Sequence, residues 1–144
     1  MADTVSASAD VAASPHEVFE YVRRPANHAE ISGDGTVQGS PNGAEVLGPD
    51  DKFGMSMKLG FIPYRVTSKV VEFEADRRIA WCHLGGHRWR WDVEPAGDGA
   101  RVTLTYDQST AKFPPALRVV GYPERHRPNV EKSVANVAAH FASS

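Results

Sequence analysis

Residues 128–141 read PNVEKSVANVAAHF, and their spacing decides how the rest of the chain must be arranged. Val130, Val134, Val137, Ala138 and Phe141 recur at helical spacing and form one apolar stripe, while Glu131, Lys132, Asn136 and His140 lie off it. Pro128 suits a first helical turn, where its missing N–H has no intrahelical partner in any case. Almost everything upstream has strand character, so this helix is the object a sheet would close on. Its stripe is Val and Ala rather than Leu, which either draws the sheet close or leaves room between helix and sheet.

Working outward, Thr4 to Val11 alternates with Val5, Ala7, Ala9 and Val11 on one face, the pattern of a half-buried strand. Ser14, Pro15 and Glu17 then spell a capping box with Pro at the first helical position, followed by inward Val18, Phe19 and Val22 and closing Arg23 and Arg24. A second short helix is expected from Pro25 to Ile31. The Gly-, Pro- and Asn-rich stretch that follows suggests short strands at Thr36 to Gly39 and Ala44 to Leu47. Lys52 to Leu59 alternates cleanly, placing Phe53, Met55, Met57 and Leu59 on one face. Tyr64 to Glu74 forms a long strand after it.

Turn positions predict the facing residues, because directly opposed residues of an antiparallel pair share a face. A turn at Gly85-Gly86 would oppose Cys82 to Trp89 and Ala80 to Trp91; one at Asp98-Gly99 would oppose Val93 to Leu104, Trp91 to Tyr106 and Trp89 to Gln108. Both send Trp89, Trp91 and Tyr106 inward and put Trp81, Arg88, Arg90 and Asp107 on the outer face, Arg90 against Asp107. In the long strand the two flanking turns disagree: Phe61-Ile62 sends Val66 and Val70 inward, Asp76-Arg77 sends Val71 and Phe73 inward. A β-bulge near Val70-Val71 reconciles them. Phe113 to Tyr122 would be a lid or a dimer contact.

The chain suits one domain spanning residues 1–144 with a core of its own. Sixteen basic against eighteen acidic residues, with no basic block, argue against nucleic acid as a partner. Cys82 is alone, no apolar run approaches a membrane span, and the N-terminus lacks an export signal, so a cytoplasmic location is expected. His83 and His87 fall on opposite faces and give no metal-ligand spacing, so neither metal nor cofactor is expected. No phosphate loop or nucleophile elbow is present.

The order strand, two helices, antiparallel strands and long C-terminal helix resembles the helix-grip fold of the SRPBCC/START superfamily, and within it the polyketide cyclase/dehydrase-like and lipid-transport-like proteins. The echoes are Val11-Ala12-Ala13-Ser14-Pro15-His16-Glu17-Val18-Phe19, Glu74-Ala75-Asp76-Arg77-Arg78-Ile79-Ala80-Trp81, and Trp89-Arg90-Trp91-Asp92-Val93-Glu94-Pro95 with Gly97 to Leu104. Ile31 departs from the pattern, standing where many members carry Trp. The resemblance implies an α+β fold, a curved antiparallel sheet wrapped around the last helix, and an internal cavity for an apolar or amphipathic small molecule.

The expected cavity lining is Phe53, Met55, Met57, Leu59, Val66, Trp89, Trp91, Tyr106, Gln108, Val134 and Ala138. A carrier of a hydrophobic or aromatic molecule is the first expectation. A cyclase- or dehydratase-like enzyme in which His87 or Tyr106 moves a proton is the second, and a filled core with a protein partner or homodimer is the third.

Overall fold

The computed structural model describes residues 4–24, 27–31, 37–43, 46–59, 62–82, 88–107 and 127–142. In chain order these form β1 (Thr4–Val11), α1 (Pro15–Val22), α2 (His28–Ile31), β2 (Val37–Gly43), β3 (Lys52–Leu59), β4 (Ile62–Glu74), β5 (Arg78–Cys82), β6 (Arg88–Ala96), β7 (Gly99–Asp107) and α3 (Arg127–Ala142). The strands make one curved antiparallel sheet in the order β1-β7-β6-β5-β4-β3-β2, a meander whose first strand returns to pair with its last. The architecture is the helix grip, an α+β fold.

Local chemistry explains most boundaries. β1 begins and ends where its alternation does, with Val5 and Val11 buried and Ser6, Ser8 and Asp10 exposed. The Ser14 hydroxyl accepts from the Glu17 N–H at 3.2 Å, and the Glu17 carboxylate accepts from the Ser14 N–H at 3.4 Å, so the capping box starts α1. At its other end the Arg23 guanidinium donates to the Leu47 carbonyl at 2.9 Å and the Leu47 N–H donates to the Arg23 carbonyl at 3.0 Å. Leu47 is thereby clamped over the end of α1. On α3, Val130, Val134 and Val137 are buried and Ala138 and Phe141 pack against the core, as the stripe predicts; Ser133, off that stripe, is buried too.

The sheet register corrects several expectations. β5 opposes β6 as Ile79 to Trp91, Ala80 to Arg90, Trp81 to Trp89 and Cys82 to Arg88. This lies one residue from the Gly85-Gly86 hairpin, because residues 83–87 connect the strands, an odd number. A one-residue shift exchanges faces, so Trp81 points inward and Cys82 outward. β6 and β7 are joined through Gly97-Asp98, not Asp98-Gly99; Gly97 has φ 58°, where glycine carries no Cβ penalty. That is a two-residue displacement, so Trp89, Trp91 and Tyr106 stay inward while Tyr106 opposes Trp89 and Arg88 opposes Asp107.

In β4 the register slips between Val70 and Glu72, leaving Val71 as the extra residue of a bulge, so that Val70 opposes Trp81 and Phe73 opposes Ile79. β2 covers Val37–Gly43 and so extends the strand expected at Thr36 to Gly39; of the one expected at Ala44 to Leu47, Val46 and Leu47 are not in a strand and 44–45 lie outside the described residues, as do 25–26 before α2.

Candidate functional site

Two rows of directly opposed residues cross the inner face of the sheet. One runs Ala7, Leu104, Trp91, Ile79 and Phe73 through β1, β7, β6, β5 and β4. Trp91 is 3% exposed, Leu104 3% and Ile79 0%, so the middle of this row is closed core, while Ala7 and Phe73 at its ends are partly buried and Phe19 of α1 meets Phe73 edge to face at 5.6 Å. The other runs Val5, Tyr106, Trp89, Trp81 and Val70. Its flanks are sealed, with Tyr106 at 0% and Val70 at 1%, yet the two indoles in its middle are only partly buried. The Trp89 and Tyr106 rings sit 5.0 Å apart at 61°, an edge-to-face contact.

His28 extends this row from above. Its ring stacks on Trp81 with centroids 4.7 Å apart at 23°, and meets Phe53 edge to face at 5.7 Å; Phe53 in turn meets Trp81 at 5.6 Å and 88°. Nε2 lies 2.9 Å from the Val22 carbonyl oxygen, which can only accept, so Nε2 carries the proton and Nδ1 the lone pair. Burial pulls the imidazole pKa down to about 4, against the smaller upward pull of that hydrogen bond, and the ring is neutral near pH 7. The helices above are tied together where the Asn136 side chain of α3 donates to the Ile31 carbonyl of α2 at 3.1 Å.

Charge is kept on the other face. Glu72 accepts from Arg88 at 2.9 Å and from Arg90 at 2.8 Å, Arg90 also donates to Asp107 at 3.1 Å, and Arg78 donates to Asp92 at 2.6 Å. Partial burial alone would raise the Glu72 carboxyl pKa, but the hydrogen bonds and charges of Arg90 and Arg88 overcome it and hold it below the usual value. Trp81 is not part of this cluster, as the expected register had it; Glu72 is its hub. Cys82 stands on this side between Lys69 and Arg88.

Of the expected lining residues, Phe53, Trp89 and Tyr106 fall in or beside the partly open row, and Trp91 lies in the closed one. Val134 and Ala138 lie on α3, which packs on β1 and β7. Met55, Met57, Leu59 and Val66 belong to β3 and β4 at register positions following Phe53, Met55 opposite Val66. His87, Gln108 and the segment 113–122 lie outside the described residues. Sequence reasoning missed His28 and Trp81. Trp81 was recoverable from the parity of the 83–87 connection, whereas nothing local to His28 marks it.

A family model described as polyketide cyclase / dehydrase and lipid transport matches residues 2–142. The chain belongs to the polyketide cyclase/dehydrase and lipid transport family. Among its relatives, an uncharacterized protein of Mycobacterium tuberculosis strain H37Rv is 34% identical over 96% of this chain; the chain spans 64% of that relative's length. The same architecture is found in a Rhodobacter sphaeroides protein, at TM-score 0.74 and 15% identity over 99% of this chain and 94% of that one. It recurs in the di-domain ARO/CYC StfQ from the steffimycin biosynthetic pathway, at TM-score 0.71 and 16% identity over 98% of this chain and 51% of that one. Among the described residues no helix is long and apolar enough to cross a membrane.

Proposed function

We propose that this protein binds an apolar, flat small molecule against the indoles of Trp81 and Trp89, beneath α2 and α3. The observation that carries the reading is the contrast within one cross-strand row: two tryptophans remain partly exposed between residues that are sealed. Large aromatic surface left accessible on an inner face is surface that a ligand can cover, and each indole N–H offers a polar handle. Carriage without turnover is favoured over proton transfer, because the neighbouring Tyr106 is fully buried among its row partners and no charged group faces the row from β5, β6 or β7. Phe53 and His28 form the far wall. Val134 and Ala138 form the helical side.

The test is native mass spectrometry of the purified protein, followed by denaturation and extraction of whatever it retains. An apolar compound present in the wild type and absent from Trp89→Ala supports the reading. Empty protein whose melting temperature no lipid or polyketide panel shifts would contradict it.

A further inference from the structure

The inner face described above is apolar almost throughout, which leaves open how a ligand would be oriented on it. A stacking surface alone holds a flat molecule without fixing its rotation in the plane. Orientation needs a directional group, and a buried directional group must have its own conformation fixed to be useful.

His28 meets both requirements. Its ring is clamped by the Val22 carbonyl on Nε2, by the Trp81 face and by the Phe53 edge, so it is not free to turn. At 6% exposure it is more than nine-tenths buried, and among the described residues Nδ1 forms no hydrogen bond. The two ring nitrogens point out from opposite sides of the imidazole, so fixing Nε2 on α1 turns Nδ1 away from α1. Nδ1 is thereby left as an acceptor, held in a fixed direction, to which an incoming donor can bond.

We propose that His28 is the orienting anchor of the aromatic niche, accepting through Nδ1 a hydrogen bond from the hydroxyl or N–H of a flat, uncharged ligand stacked beside Trp81. This rests on the ligand-binding reading above and narrows it to one class of ligand. A phenol, an enol or an aromatic N–H fits, because each presents a donor in the plane of an apolar ring. A carboxylate or phosphate does not, because it would bring a negative charge against a lone pair. The charges of β5, β6 and β7 that could offset it, Arg78, Arg88, Arg90 and Arg101, are all on the opposite face and already paired with carboxylates.

The experiment is a calorimetric titration of the full chain with two probes of nearly equal shape, 1-naphthol and naphthalene, in the wild type and in His28→Gln and His28→Phe. The glutamine amide can keep the bond to the Val22 carbonyl but offers nothing at the Nδ1 position; phenylalanine keeps the stacking. The expected result is a wild-type preference for 1-naphthol of about tenfold, the worth of one hydrogen bond made in a dry site. In both variants the ratio should collapse to less than about twofold, whatever the change in naphthalene affinity itself. A cooperative thermal melt and measurable naphthalene binding show that each variant is folded and keeps the niche. A preference that survives both substitutions, or no preference in the wild type, would overturn the role of His28 while leaving the ligand site standing. Failure of both probes to bind the wild type would overturn both.

Discussion

Trp81 and Trp89 stand directly opposite one another on neighbouring strands, facing the helices, and both keep part of their surface accessible. Two residues further along β6, Trp91 opposes Ile79 and is sealed. Alternate positions of one strand thus hold one tryptophan sealed in the core and one partly accessible, and substitutions should separate them.

Trp91→Ala should cost about 3–5 kcal/mol, the usual consequence of emptying a closed aromatic site. Trp89→Ala should cost less, about 1–2 kcal/mol, because part of its indole is already accessible. Denaturant melts check the difference. Ligand retention should follow the reverse order among folded variants, with Trp89→Ala empty.

Glu72 bridges Arg88 and Arg90, with side chains 20%, 30% and 18% exposed. Glu72→Ala would leave two half-buried guanidiniums sharing Asp107 and is expected to destabilise by about 1–3 kcal/mol, more than an exposed pair would. Comparison with Asp10→Ala, which breaks the exposed Arg101 pair, checks this; that variant should lie within about 0.5 kcal/mol of wild type.

His28 sets a pH dependence whose sign follows from its lowered pKa. Above the unfolded value of about 6.5 both states are neutral and nothing is lost. As pH falls below it the unfolded chain takes up a proton that the folded one refuses, until the folded group titrates near 4. The wild type should therefore lose about 2 kcal/mol relative to His28→Gln between about pH 7 and about pH 5. Urea melts of the two proteins across that window check it. His16 works in the opposite direction, because hydrogen bonding and charge from Asp76 raise its pKa, and it cancels in the comparison since both proteins carry it.

Gly99 opens β7 where β1 ends. A Cβ there would run into the carbonyl oxygen of Val11, a backbone atom that cannot step aside without disturbing the β1–β7 ladder. Gly99→Ala is expected to cost about 1–3 kcal/mol by overpacking, measurable as a lowered melting temperature.

The helix grip was legible in the sequence because its signals are local and periodic. Alternation alone bounded β1 and β3, the Ser14–Glu17 box began α1, and the valine stripe bounded α3 to within a residue at each end. Even the bulge at Val71 followed from two turns demanding opposite parities of one strand. What stayed hidden depends on connections that alternation does not encode. The Gly85-Gly86 pair has the chemistry of a tight turn, but five residues join β5 to β6, and the odd count moved Trp81 inward and Cys82 outward. The displacement by two at Gly97-Asp98 preserved the faces and merely changed partners. His28 belongs to a single helical turn too short to show a period, and its stacking on Trp81 and Phe53 arises only when β3 and β5 are brought beneath it.

The central claim is that a ligand covers Trp81 and Trp89 and leaves Trp91 alone. The chain has three tryptophans, so the indole N–H region of a nitrogen–proton correlation spectrum holds three signals, each assignable from a single Trp→Phe variant. Addition of 1-naphthol should move the Trp81 and Trp89 signals together along one saturation curve while the Trp91 signal stays nearly fixed. A spectrum in which none of the three responds, or in which Trp91 moves and the opposed pair does not, would contradict the account.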